Sequence, residues 1–131
     1  MSTATLTGAT RLVLVEDDAD IARLISHHLE KAGFTTRWFP SAVSLIDVVQ
    51  KQPPSLFLLD LMLPGIDGFQ LCRCIRKNPL LAPLPIVVLT ARAGQWDRSL
   101  AFESGADDYV TKPFSPADLI SRVRRLCERS L

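Results

Sequence analysis

The stretch Leu56-Phe57-Leu58-Leu59-Asp60 constrains this chain more than any other. Four apolar residues lead into one carboxylate, and Pro64-Gly65 supplies a turn soon after. A short apolar run bounded by turn signals reads as a strand buried on both faces, as in a parallel sheet. Asp60 then falls at the strand's carboxyl end, where open α/β sheets place their ligand crevice. An acid there is costly unless something pairs with it. Two other segments offer partners. Arg11-Leu12-Val13-Leu14-Val15 is a second apolar run and ends in Glu16-Asp17-Asp18, and Tyr109-Val110-Thr111 leads into Lys112. Acids and a lysine gathered at strand ends suggest a divalent-cation site around a nucleophilic or phosphate-accepting carboxylate.

The rest of the chain alternates between strand and helix patterns. Ile21, Leu24, Ile25, Leu29 and Ala32 recur at helical spacing, and Gly33 ends that helix. Phe34 to Phe39 is a polar strand suited to a sheet edge. Ser41 is placed to cap a helix carrying Ala42, Leu45, Ile46 and Val49, which Pro53-Pro54 breaks. Asp67-Gly68 opens a third helix with Leu71, Cys72 and Ile75 inward. Pro85 to Leu89 is an apolar strand. The helix from Gly94 to Ser104 is weakly amphipathic, with Ser99 and Phe102 as its inward candidates and Trp96 left exposed. After the short strand Asp108–Thr111, Ser115-Pro116 starts a final helix bearing Leu119, Ile120, Val123, Leu126 and Cys127. Five strands alternating with five helices predict an α/β, flavodoxin-like (βα)5 doubly wound parallel sheet. Apolar strands one, three and four belong at its centre and polar strands two and five at its edges, which fits the order 2-1-3-4-5.

Bulk properties bound the function. The 131 residues fit one domain; residues 1–9 are small and polar and read as a disordered tail, leaving 10–131 for the fold. A net charge of +1 gives no bulk argument for nucleic acid or membrane. No apolar run approaches the roughly 20 residues of a membrane span, and the amino terminus lacks the features of an export signal. A cytoplasmic location follows as an expectation. Cys72 and Cys74, two apart on a helix, point to opposite sides, so the three cysteines read as small hydrophobes.

In the order 2-1-3-4-5, strands one and three are neighbours, so Glu16, Asp17 and Asp60 converge. Like charges so close repel, and a hard cation with oxygen ligands relieves them. Asp18 is the better candidate for a plain helix cap. Thr90 ends the fourth strand at the same sheet edge. Lys112 precedes Pro113, an extended or turn dipeptide for which the cis form is open. Cation, hydroxyl and ammonium together form a clamp for a phosphoryl group on Asp60.

These segments, together with Leu89-Thr90-Ala91-Arg92 and Gly105-Ala106-Asp107-Asp108-Tyr109-Val110-Thr111-Lys112-Pro113-Phe114, resemble the receiver domain of bacterial two-component response regulators. The resemblance spans about residues 10–129 and is greatest to receivers of winged-helix transcription regulators, the OmpR/PhoB type. It implies that Asp60 is the phosphoacceptor for a sensor histidine kinase. It further implies Mg2+ (or Mn2+) on Asp17, Asp60 and the Met62 carbonyl, with Glu16 acting through water. Thr90 and Lys112 would bind the phosphoryl oxygens, small Ala91 would leave room for them, and Tyr109 would be the switch aromatic. Such receivers form homodimers through the fourth helix, fifth strand and fifth helix; the matching positions are Arg98, Glu103, Asp107, Asp118, Arg122 and Arg124. DNA contact would come only through an output domain not present in this chain, and no membrane contact is implied. A stand-alone receiver is the alternative within the family. An Asp-nucleophile phosphatase lacks its second acid, because Met62 stands two residues after Asp60.

Overall fold

The structure is a computed structural model and describes residues 10–129; the tail expected over 1–9 lies outside the described residues. Five parallel strands, β1 (Arg11–Val15), β2 (Thr35–Phe39), β3 (Leu56–Leu59), β4 (Ile86–Thr90) and β5 (Asp108–Thr111), form one sheet in the order β2-β1-β3-β4-β5. Between and after them run α1 (Ala19–Lys31), α2 (Leu45–Val49), α3 (Gly68–Lys77), α4 (Gln95–Ser104) and α5 (Pro116–Arg129). The expected fold and strand order are those observed.

Side-chain alternation along the strands divides the core into two layers. Leu12, Leu14, Leu56, Leu58, Val87, Leu89 and Val110 pack against Ala22, Ile25 and Leu29 of α1 and Leu119, Val123 and Leu126 of α5. Val13, Val15, Phe57, Leu59, Ile86, Val88 and Tyr109 face Leu45 and Val49 of α2, Leu71, Cys72 and Ile75 of α3, and Ala101 of α4. Burial on both faces explains why β3 and β4 have no polar residue before their last position.

Some sequence expectations need correction. The second helix begins at Leu45, not Ala42. Ser41 does not cap it; its hydroxyl accepts from Val43 N in the preceding turn, and Ser44 precedes the helix at φ 62°. Leu24 is 50 % exposed, because the stripe of α1 that meets the sheet runs through Ala22, Ile25 and Leu29. On α4, Ser99 and Phe102 are exposed and Ala101 and Ser104 face inward instead. Trp96 is 81 % exposed, as expected. Strand β5 is an edge, yet its first three residues are buried under α4 and α5.

At the sheet end away from the carboxyl termini of the strands, Arg76 joins α3 to two loops. Its Nε and Nη2 donate to Gly105 O at 2.9 and 2.6 Å. Its Nη1 donates to Ala82 O at 2.7 Å and Leu84 O at 2.6 Å, and Nη2 also reaches Asp107 Oδ2 at 2.8 Å. All five donors of the guanidinium are used. Gly105, at φ +119°, is the left-handed residue that ends α4, and a Cβ there would sit 2.6 Å from Arg76 Cγ.

Candidate functional site

Register brings the acids together. Val15 of β1 pairs with Leu59 of β3, and Asp60 N donates to Val15 O, so the next residues, Glu16 and Asp60, emerge side by side. Carboxylate oxygens of Glu16, Asp17 and Asp60 all lie within 4.8 Å of one another. Asp17 is exposed, whereas Glu16 and Asp60 are buried. On the other side of β3, Thr90 pairs with Thr111, and Lys112 N donates to Thr90 O. From the end of β5, the Lys112 side chain crosses the end of β4. Its Nζ donates to Asp60 Oδ2 at 2.8 Å and to Glu16 Oε1 at 2.6 Å. The Lys112–Pro113 peptide is cis.

Each carboxylate oxygen of the buried pair has a partner. Glu16 Oε2 accepts from Asp18 N, and Asp60 Oδ1 accepts from Met62 N at 3.0 Å. Burial raises the Glu16 pKa; the Lys112 hydrogen bond opposes the rise and the Asp60 charge adds to it. For Lys112, burial works downward, but the hydrogen bonds it donates to Asp60 and Glu16 outweigh it and the ammonium is held above its usual range. Three carboxylates face one ammonium, which leaves two uncompensated negative charges when all are ionised. An all-oxygen donor set with excess negative charge fits a hard divalent cation such as magnesium.

Asp18 is the plain cap expected of it, accepting from Asp20 N and Ile21 N. Thr90 is fully buried and its hydroxyl accepts from Arg92 N. Ala91 is exposed beside it, and Met62 is exposed after Asp60. The Tyr109 ring is buried, with its hydroxyl donating to Arg92 O. Burial raises its pKa, and Asp97 adds to the shift.

The six residues expected at a dimer surface separate. Arg98, Asp118 and Arg122 line one hollow with Tyr109, and the Arg98 guanidinium lies 5.6 Å from the Tyr109 ring centre. Asp118 pairs with Arg122 at 3.0 Å, and Glu103 is exposed on α4. Asp107 is elsewhere, engaged by Arg76 and by Ile86 N. Arg124 lies against α1, donating to Ala32 O, with its guanidinium 5.9 Å from the Phe34 ring.

Sequence reasoning missed two residues. Asp108 is the buried carboxylate of the β5 face, held by Arg122 Nη1 at 2.7 Å and Arg125 Nη2 at 3.3 Å. Gly68 lies directly under the phosphoacceptor candidate: a Cβ there would be 2.5 Å from Leu61 Cα and 2.6 Å from Asp60 O. Asp67-Gly68 signals a helix start; no local pattern signals this close approach.

A doubly wound sheet with an acidic, lysine-bridged crevice at its switch point defines the class of this protein: an α/β domain built to hold oxygen-ligated charge. Comparison with known sequences narrows the class. Residues 12–124 match the response regulator receiver domain, and the chain belongs to that family. It is 42 % identical over 119 residues to the transcriptional regulatory protein GltR of Pseudomonas aeruginosa, covering 91 % of this chain and 49 % of that protein. A putative response regulator from Chloroflexus aurantiacus superposes with a TM-score of 0.88 at 37 % identity, over 92 % of this chain and 98 % of the other. DrrB, a Thermotoga maritima OmpR/PhoB homolog, gives 0.81 at 31 % identity, over 92 % of this chain and 54 % of DrrB. The chain is thus a receiver domain similar to those of OmpR/PhoB-type transcription regulators, and it spans about half the length of the curated relatives it matches.

Proposed function

We propose that this domain is a phosphorylation-driven switch in which Asp60 accepts a phosphoryl group from a sensor histidine kinase. The carrying observation is the single ammonium of Lys112 shared by Asp60 and Glu16, with Asp17 in the same 4.8 Å cluster. An Asp60 oxygen attacks the phosphorus of a phosphohistidine, and the P–N bond breaks with its electron pair going to the leaving imidazole. Asp17, Asp60 and the Met62 carbonyl would hold Mg2+ (or Mn2+), and Glu16 would act through water. The cation, when bound, neutralises charge on the transferring oxygens. Lys112 supplies a fixed positive charge on the opposite side, and the Thr90 hydroxyl donates to a phosphoryl oxygen. Ala91 leaves that oxygen unobstructed. Charge positioning of this kind is most of phosphoryl-transfer catalysis.

The product is a modified carboxylate, so the domain acts on itself and turns over no separate substrate. Recruiting Thr90 takes its hydroxyl from Arg92 N, and Tyr109, bonded to Arg92 O, is the next side chain to respond. The surface of α4, β5 and α5 then changes and pairs with a second copy, with Arg98, Glu103, Asp107, Asp118, Arg122 and Arg124 as its charged positions. Transcription is regulated through a DNA-binding output domain outside these residues, in the cytoplasm. No helix among the described residues is long and apolar enough to cross a membrane.

Incubation with magnesium and a small acyl phosphate, followed by intact mass, tests the reading. A gain of one phosphoryl group is expected, absent in Asp60→Asn and abolished by chelator. No gain where another receiver labels would overturn it. A sizing column run on the labelled sample reads the dimer.

A further inference from the structure

Glu16, the first residue of the acidic cluster, is held to the sheet edge by a side chain the mechanism above does not use. Glu16 N donates to Phe39 O, continuing the ladder between β1 and β2. Strand β2 then stops, because the next residue is Pro40, which has no N–H to give. The Glu16 carbonyl instead accepts from the indole Nε1 of Trp38 at 2.6 Å. Glu16 is thereby fixed at its amide, its carbonyl and both carboxylate oxygens. The carbonyl belongs to the peptide that leads into Asp17, the exposed acid of the cluster. Trp38 is 41 % exposed on the edge strand, and its indole N–H is its directed polar contact.

We propose that Trp38 is a positioning residue for the divalent-cation site. Its indole N–H sets the orientation of the Glu16–Asp17 peptide, so that Asp17 projects toward Asp60 before the cation arrives. Preorganised ligands lose less freedom on binding, so cation affinity depends on this bond. The inference rests on the cation reading above.

The test is Mn2+ binding to the full chain, read from the electron paramagnetic resonance of the free ion. Three proteins are compared: the wild type, Trp38→Phe, and a chain carrying 3-benzothienylalanine at position 38, which keeps the ring shape but replaces N–H with sulfur. Urea unfolding in chelator is run beside each. Both altered chains are expected to bind Mn2+ about three- to tenfold more weakly, the range for one lost hydrogen bond. The sulfur isostere keeps the ring packing, so in chelator it is expected to stay folded, with its urea midpoint lowered no more than that of Trp38→Phe. An isostere that binds Mn2+ as tightly as the wild type would overturn the inference while leaving the cation site intact, whatever Trp38→Phe does. A wild type that binds no Mn2+ overturns the cation reading itself, and this inference with it.

Discussion

The ammonium of Lys112 lies 2.8 Å from Asp60 Oδ2, although 52 residues separate the two in sequence. The same nitrogen bonds Glu16 Oε1, so one cation holds two buried carboxylates that would otherwise repel. Lys112→Ala leaves both acids facing each other with no counter-charge. Stability is expected to fall by about 2–3 kcal/mol in urea unfolding at neutral pH. Lowering the pH to about 4 should recover part of the loss as the Glu16 carboxyl, already raised by burial, takes up a proton. A loss that does not shrink in acid would mean that packing of the lysine stem, not charge, is what the site depends on.

Magnesium should stabilise the fold, because the cluster carries two negative charges beyond what Lys112 neutralises. At a hundredfold excess over Kd the gain is about 2.7 kcal/mol. Thermal unfolding with magnesium and then with chelator measures it. Asp17→Asn should abolish most of the gain while leaving the unfolding midpoint in chelator close to that of the wild type, since Asp17 is exposed.

Gly68→Ala places a methyl group 2.5 Å from Leu61 Cα, and backbone cannot step aside as a flexible side chain can. The expected cost is about 1–3 kcal/mol. Because the turn that must move carries Asp60, acyl-phosphate labelling should also slow. A variant destabilised with unchanged labelling would show that helix α3 yields and the Asp60 turn does not.

The three cysteines should react differently. Cys74 is exposed, while burial pushes the Cys72 thiol up to about 12 and the Cys127 thiol up to about 11. At pH 8 a maleimide should add rapidly to one cysteine in the native protein and to three in urea. Both buried thiols ionise more readily once unfolded. Their contribution to stability is therefore complete below pH 9.0, the ordinary value, and is lost as pH rises toward about 11–12. Rapid native labelling at three sites would mean that α3 and α5 open easily.

Much of this molecule is legible in its sequence, for identifiable reasons. Strands buried on both faces must be apolar throughout, so β1, β3 and β4 announce themselves and the two polar strands fall to the edges. The order then forces Glu16 and Asp60 to be neighbours, and Lys112 needs only length to reach them. Finer features depend on angles that spacing does not resolve. Leu24 and Ala22 differ by two steps around α1, and only tertiary contact decides that the smaller residue faces the sheet. Asp107 and Asp108 are adjacent, so they point to opposite sides. One meets Arg76 of α3 and the other meets Arg122 and Arg125 of α5. The start of α2 at Leu45 turns on the left-handed Ser44, which an apolar pattern beginning at Ala42 conceals.

The attachment of Arg76 to Gly105 makes α4 a lever with one fixed end. The carboxyl end of this helix is riveted through Gly105 O, and Arg73 adds a second fastening at Ser104 Oγ, 3.0 Å away. The amino end begins at Gly94 with no side chain capping it, and its first turn is tied to the loop after β4 through Asp97 and Arg92, 3.2 Å apart. Ten residues of helix make an arm of about 15 Å. A rotation of about 10° about the rivet would sweep the amino end through roughly 2.5 Å, by the same arm length. Trp96 rides near the tip and travels furthest, while Ala101 and Ser104 near the pivot hardly move. A small adjustment beside Thr90 and Arg92 would thus be magnified at the outer surface of the domain, with the far end of the sheet as its pivot.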